Sequence, residues 1–169
     1  MKNAQIRNIR TLSLVEIEQY FVELGEKKFR AKQVWEWLWQ KHAMSFADMT
    51  NLSKDLRQKL GETFSFPALT VNSTQYSADG TVKTGFKTFD GHLVEGVLIP
   101  TEKRYTACVS SQIGCSLSCK FCATGYIDRK RNLNFDEIYD EVVLINQQSE
   151  RIYNHKLTNI VFMGMGEPL

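Results

Sequence analysis

The order of predicted elements in the last third of the chain constrains its fold more than any other feature. A strand over 105–111 leads into a loop rich in glycine and cysteine, 112–125, and a helix follows from Asn134 to about Ser149. An apolar strand over 157–163 then ends in the segment GMGEP. Strand, loop, helix and strand in this order form a βαβ unit, the building block of a parallel α/β sheet. One such unit cannot cover both faces of a parallel sheet, so we expect this domain to be incomplete within the 169 residues.

The first 66 residues predict a small bundle of three helices, of the helix-hairpin-helix type. Ser13 can cap a helix whose apolar stripe begins at Val15. A second helix is predicted over about 31–42, and a third begins after Ser53, which can cap it.

Strands replace helices after this bundle. Three strands over 69–76, 81–89 and 92–99 predict an antiparallel meander, and the run Phe89-Asp90-Gly91-His92 predicts a two-residue hairpin turn. The predicted fold class is therefore α+β followed by α/β. The expected domains are a helical domain over 1–66, an antiparallel β linker over 67–103 and the start of an α/β core over 104–169.

Composition excludes several classes of protein. The chain is 43% hydrophobic and 24% charged, which is ordinary for a soluble globular protein. It has no apolar run near the ~20 residues that cross a membrane, and its N-terminus does not resemble a signal peptide. We therefore expect a cytoplasmic protein, and a monomer because no exposed apolar repeat is evident. The net charge of +2 leaves a nucleic-acid partner open, and two basic segments, 27–32 and 129–131, are either phosphate-contacting surfaces or solvated loops.

All four cysteines lie within one short stretch, at positions 108, 115, 119 and 122. In a reducing compartment such a group indicates a metal or redox site. Three thiolates spaced as Cys115-x3-Cys119-x2-Cys122 can bind three irons of a [4Fe–4S] cluster and leave the fourth iron open to a substrate. The alternative is a structural zinc site with Cys108 as its fourth ligand, although the spacing from Cys108 to Cys115 matches no common zinc motif.

The cysteine spacing, with Phe121 just before the last cysteine, resembles that of radical S-adenosylmethionine enzymes. Further segments are similar, in order and spacing, to the RlmN/Cfr family of radical methyltransferases that act on adenosine in RNA: VEGVLIP, CVSSQIGCSLSCKFCATG, RNLNFDEI and VFMGMGEPL. The segment FRAKQVWEWLW also resembles the family's N-terminal accessory domain, which is linked to RNA binding. The resemblance covers nearly the whole chain. It implies that the α/β core is the first βαβ of a partial (β/α) barrel.

The resemblance implies a role for seven residues. Gly166 and Glu167 match the motif that contacts the methionine end of S-adenosylmethionine, whereas the residues alone predict only a tight turn there. Glu95 matches a carboxylate that handles protons near the target adenine, whereas the pattern alone predicts a solvent-facing strand glutamate. The matching cluster ligands are Cys115, Cys119 and Cys122.

Cys108 matches a cysteine that releases the methylated product by forming a disulfide with a second, methyl-carrying cysteine. Without the resemblance, Cys108 would be interpreted as a buried thiol on a strand. The family carries its methyl-carrying cysteine near the C-terminus, and this chain has no cysteine after Cys122. We therefore expect the 169 residues to be inactive alone.

The function implied for the full-length protein is methylation of carbon 2 of adenosine in 23S rRNA through a methyl-cysteine, and tRNA stays open as a second substrate. The implied cofactors are a [4Fe–4S] cluster and S-adenosyl-L-methionine, with an electron donor such as flavodoxin. Three alternatives stay open: a methyltransferase that acts on carbon 8, another radical enzyme that shares the cysteine spacing, and an RNA-binding module with a four-cysteine zinc site.

Overall fold

The computed structural model describes residues 6–168. The chain divides into two compact units, Met1–Ala68 and Leu69–Leu169, and each unit has a hydrophobic core of its own. No helix within 6–168 is long and apolar enough to cross a membrane.

The first unit is helical, as predicted. Its elements are β1 (Arg7–Asn8), α1 (Leu14–Glu23), α2 (Phe29–Trp39), α3 (Lys54–Thr63) and β2 (Phe64–Ser65). The two short strands pair in parallel, and the three helices enclose the core. Its fully buried side chains include Ile9, Ile17, Phe21, Val34, Leu38, Met49 and Leu60.

Helix α1 begins at a capping box, which explains why its start could be predicted. The Ser13 hydroxyl accepts from the Glu16 amide, and the Glu16 carboxylate accepts from the Ser13 amide at 2.7 Å. The hydrogen bonds from Ser13 lower the pKa of Glu16 to about 2. The helix buries Ile17 and Phe21, but Val15 is 71% exposed. The predicted apolar stripe was therefore wrong at Val15.

Helices α2 and α3 differ in how closely they match their predictions. Helix α3 follows its Ser53 cap and buries Leu56 and Leu60. Helix α2 begins at Phe29 and ends at Trp39, so the predicted range of 31–42 was displaced. Its first turn has no side-chain cap, and the sequence therefore holds no signal for its start.

Over residues 69–168, the second unit contains seven strands and one long helix. They are β3 (Thr70–Tyr76), β4 (Val82–Lys87), β5 (Leu93–Pro100), β6 (Tyr105–Cys108), β7 (Gln112–Ile113), β8 (Arg131–Asn132), α4 (Phe135–Tyr153) and β9 (Asn159–Val161). Five of the strands form one sheet in the order β3-β4-β5-β6-β9. The β6–β9 pair is parallel and the others are antiparallel. The antiparallel strands, expected to form a separate linker, thus share a sheet with the βαβ unit.

Helix α4 covers one face of this sheet. Alternate residues of β4 and β5 are buried on that face, and Ile145 of α4 lies against Gly96. The side chain of Gln148 exchanges hydrogen bonds with the Thr84 hydroxyl at 2.9–3.1 Å. Helix α4 follows its predicted Asn134 cap but continues beyond Ser149 to Tyr153.

The turn between β4 and β5 is one residue longer than predicted. The Thr88 amide donates to His92, and the Gly91 amide donates to Thr88, so three residues form the turn. Gly91 adopts a φ of 84°, a conformation that glycine accommodates without strain. The hairpin prediction was correct in place and wrong in length.

Candidate metal and cofactor site

The cysteine loop, residues 114–130, leaves and re-enters the fold through the antiparallel pair β7–β8. Gln112 pairs with Asn132 and Ile113 with Arg131, so this pair closes the base of the loop. Gly114 has a φ of 74°, and a Cβ there would collide with the carbonyl of Asp128. Only glycine fits this close approach, which brings both ends of the loop together.

The three cysteines of the loop are partly exposed free thiols. The backbone turns tightly at Cys119, whose carbonyl accepts from the Cys122 amide at 3.1 Å. The Leu117 amide points at the Cys115 sulfur at 3.4 Å. Within 6–168, no three Cys, His, Asp or Glu side chains already surround one point.

The chemistry of this donor set fits an iron–sulfur cluster. Three accessible thiols on one short loop are soft ligands of the kind such clusters use. Cys108 is outside the loop, on β6, and is only 8% exposed. Burial raises the pKa of the Cys108 thiol.

The GMGEP loop, residues 164–168, packs against the segment that follows β6. The Gly164 amide donates to Val109 at 3.0 Å, and the Met165 amide donates to the Ser110 hydroxyl at 2.9 Å. The Met165 carbonyl accepts from the Ser111 amide at 2.9 Å. These bonds hold the loop beside the base of the cysteine loop.

Gly166 and Glu167 meet the base of the cysteine loop directly. Gly166 has a φ of 99°, and a Cβ there would lie 2.5 Å from the Cβ of Gln112. The Glu167 amide donates to the side-chain oxygen of Gln112 at 3.2 Å, while its carboxylate is exposed. The structure therefore brings the predicted cofactor residues next to the predicted cluster loop.

Glu95 and Cys108 lie on the same face of the sheet. Cys108 pairs directly with Val97 of β5, and side chains of an antiparallel pair share a face. Glu95 is two residues from Val97, so it shares that face too. Its carboxylate forms an ion pair with Lys83 of β4 at 3.1 Å. Sequence reasoning missed Lys83, because its pairing depends on the register of β4 and β5.

A second carboxylate, on Glu141 of α4, is fully buried beneath the sheet. One of its oxygens accepts from the Ser110 amide at 2.9 Å, and the other has no hydrogen-bond partner within 6–168. Burial raises the pKa of Glu141 to about 8. The Ser110 hydroxyl donates to the Glu95 carbonyl at 2.6 Å. Sequence reasoning missed Glu141, although it lies one helical turn before the buried Ile145, a signal that could have found it.

Arg131, in the second basic segment, is already paired within the fold. Its guanidinium donates to Asp90 at 2.8–2.9 Å and to Glu137 at 2.6–2.8 Å. The hydrogen bonds from Arg131 lower the pKa of Asp90, and those to Glu137 and Asp90 raise the pKa of Arg131. This arginine therefore joins the β4–β5 turn to the first turn of α4, rather than serving as a free phosphate contact.

Comparison with known proteins identifies relatives of both units. The family described as "Ribosomal RNA large subunit methyltransferase N-terminal domain" matches residues 7–65. A "Probable dual-specificity RNA methyltransferase RlmN" of Cytophaga hutchinsonii is 61% identical over 95% of the chain and 44% of the relative. A "Dual-specificity RNA methyltransferase RlmN" of Geotalea uraniireducens is 48% identical over 96% of the chain and 46% of the relative.

One solved structure is similar over nearly the whole chain. It is the crystal structure of a radical SAM methyltransferase from Sphaerobacter thermophilus, with a TM-score of 0.82 and 39% identity. The match covers 96% of this chain and 48% of that one. The chain thus spans about half the length of the relatives it matches. By sequence and by fold, it matches the N-terminal part of the RlmN-type radical SAM methyltransferases.

Proposed function

We propose that the chain is the N-terminal part of a radical SAM enzyme that methylates carbon 2 of adenosine in 23S rRNA and in tRNA. The observation that carries this proposal is the direct hydrogen bonding between the base of the cysteine loop and the GMGEP loop. The printed names of the relatives, dual-specificity RNA methyltransferases, support the substrate class. The parallel strands β6 and β9, with α4 between them in sequence, are then the first βαβ unit of a partial (β/α) barrel.

Cys115, Cys119 and Cys122 hold the [4Fe–4S] cluster in this proposal. A cluster with one open iron supplies the electron that cleaves S-adenosylmethionine when both are bound. Gly166 lets the GMGEP loop approach the base of the cysteine loop closely, because a side chain there would collide with Gln112. The exposed carboxylate of Glu167 accepts a charge-assisted hydrogen bond from the cofactor's ammonium.

Glu95 and Cys108 act on the substrate from the sheet face opposite α4. Glu95 takes a proton near the adenine, and Lys83 orients its carboxylate. Cys108 is a neutral, nearly buried thiol, which suits a group that reacts only after a partner cysteine reaches it. That partner belongs to the second half of the full-length protein, so residues 1–169 alone transfer no methyl group.

The proposal also assigns a surface that contacts RNA and a source of electrons. Lys27, Lys28 and Lys32 are exposed around the start of α2 and contact the RNA backbone. In this proposal the protein is a monomer in the cytoplasm, where reducing conditions keep its four thiols free. A flavodoxin-type donor supplies the electrons.

Anaerobic reconstitution with iron and sulfide tests the cluster. We expect about four irons per chain and, after chemical reduction, an electron paramagnetic resonance signal that S-adenosylmethionine perturbs. Cys119→Ala should lose the iron, whereas Cys108→Ala should retain it. Tight stoichiometric zinc that is lost in both variants would overturn the proposal in favour of a four-cysteine zinc site.

The product of the full-length protein tests the target atom. Incubation with 23S rRNA and digestion to nucleosides should yield 2-methyladenosine by mass spectrometry. Recovery of 8-methyladenosine instead would assign the reaction to the alternative carbon, and no methylated adenosine would refute the activity.

A further inference from the structure

Gln112 is the point at which the cysteine loop and the GMGEP loop meet. It lies in β7, at the entrance to the cysteine loop, and is only 4% exposed. Its backbone amide donates to the Met165 carbonyl at 3.2 Å. The backbone thus already joins the two loops at this residue.

The side chain of Gln112 bridges the same two loops. Its amide nitrogen donates to the Asn132 side-chain oxygen at 2.9 Å, at the exit of the cysteine loop. Its amide oxygen accepts from the Glu167 backbone at 3.2 Å. The methylene groups of Gln112 fill the space where a Gly166 side chain would stand. Both polar atoms of this buried side chain are therefore used, one toward each loop.

We propose that Gln112 is a positioning residue that couples the cysteine loop to the GMGEP loop. It fixes Glu167, and with it the methionine end of the cofactor, relative to the cluster ligands. This inference rests on the function proposed above. Glutamine suits the task because one short side chain offers both a donor and an acceptor, whereas methionine has the same length and offers neither a strong donor nor a strong acceptor.

A merely structural role for Gln112 makes a different prediction from coupling. Loss of general packing would loosen the whole second unit. Coupling instead requires that a substitution at Asn132 changes the hydrogen exchange of the Glu167 amide, and that it does so only while Gln112 is present. A double-mutant cycle isolates this dependence.

The first experiment measures hydrogen exchange of the Glu167 amide by NMR in the metal-free 169-residue chain. Gln112→Met removes the oxygen that accepts from the Glu167 amide, and Asn132→Ala frees the side chain that carries this oxygen. Each variant should speed exchange of the Glu167 amide roughly five- to tenfold. In a chain that already carries Gln112→Met, the further change Asn132→Ala should leave the exchange rate of the Glu167 amide unchanged. Asn132 is exposed, so its variant is expected to fold even if Gln112→Met does not.

Two matched controls accompany the cycle. Asn132→Asp keeps an oxygen that accepts from Gln112, so its Glu167 amide should exchange at the wild-type rate. Arg129→Ala removes the other donor to the Asn132 oxygen, at 2.8 Å, and should leave Glu167 unchanged. The coupling is overturned if Asn132→Ala leaves Glu167 exchange unchanged, or if the effects of the two variants simply add.

A second experiment separates this inference from the proposed function. After reconstitution, Gln112→Met should bind as much iron as the wild type but bind S-adenosylmethionine roughly five- to tenfold more weakly, by equilibrium dialysis. Equal affinity in the two proteins would refute the coupling. A wild-type chain that takes up no iron would refute the proposed function, and the exchange cycle would still decide the role of Gln112.

Discussion

At the scale of single residues, the Glu141 carboxyl makes stability depend on pH. Its pKa of about 8 in the fold lies above the usual 4.5, so the folded chain keeps a proton that the unfolded chain releases. The free energy of unfolding should therefore fall as pH rises from about 5 to about 8, by as much as about 1.4 kcal/mol per pH unit.

Glu141→Gln tests this dependence, because the amide cannot ionise. Urea unfolding followed by NMR signals of β4 and β5, at about pH 5.5 and about pH 7.5, should show a flatter pH profile than in the wild type. The exposed Glu150→Gln should keep the wild-type profile. Identical profiles for Glu141→Gln and the wild type would show that the buried carboxyl does not titrate in this range.

Some of these residues could be predicted from sequence and others could not. The cysteine spacing and the Ser13 and Asn134 caps are local patterns, so the sequence carries them directly. Gln112 and Glu141 contact partners far along the chain, so their neighbours became visible only once the sheet register was known. The same-face placement of Glu95 and Cys108 also required that register.

At the scale of elements, Arg131 fastens the β4–β5 turn to α4. It bonds Asp90 in that turn and Glu137 in the first turn of the helix. Arg131→Ala would leave the Glu137 carboxylate, only 5% exposed, without its cation. We expect a loss of about 2–3 kcal/mol, because an uncompensated buried charge is costly.

NMR-detected urea unfolding of the second unit measures that loss. The free energy of unfolding of Arg131→Lys should lie between those of the wild type and the alanine variant, because a lysine cannot bond two carboxylates in the same fork geometry. The ion pair would be marginal to this unit if Arg131→Ala unfolded at the same urea concentration as the wild type.

The capping box of α1 gives a matching prediction for the first unit. Ser13→Ala should lower its free energy of unfolding by about 1 kcal/mol, because the Glu16 amide loses its acceptor. All three tryptophans lie in α2, so their fluorescence reports on this unit alone. Ser13→Thr keeps a hydroxyl that can accept from the Glu16 amide and donate to the Glu16 carboxylate, so it should unfold like the wild type. An equal loss of stability in both variants would argue against the cap.

The helices and strands also show which boundaries local sequence patterns predict and which they do not. The starts of α1, α3 and α4 are capped and were predicted correctly. Helix α2 begins at Phe29, after Lys28, which provides no side-chain cap, and its predicted range was displaced. Strand β9 is shorter than its apolar run, since only Asn159–Val161 pair with β6. Hydrophobicity predicts that a strand exists, but the partner strand determines its length.

At the scale of the whole molecule, the two units have separate cores. The buried cluster of the first unit draws all its members from residues 9–60, and that of the second from residues 69–165. A chain ending at Ala68 should therefore fold alone, with the same tryptophan-detected urea midpoint as the 169-residue chain. A midpoint shift larger than experimental error would show that the first unit depends on the second.

The parallel pairing of β6 with β9 also governs how the chain reaches this state. The two strands are neighbours in the sheet, yet the cysteine loop and α4 lie between them in sequence. Such a non-local contact must overcome loop-closure entropy before it gains any energy, so it forms slowly. Until this pair forms, the GMGEP loop that follows β9 does not pack beside the base of the cysteine loop, so the thiols are more open to oxidation early in folding. Anaerobic refolding should accordingly give a higher yield of free thiols than refolding in air.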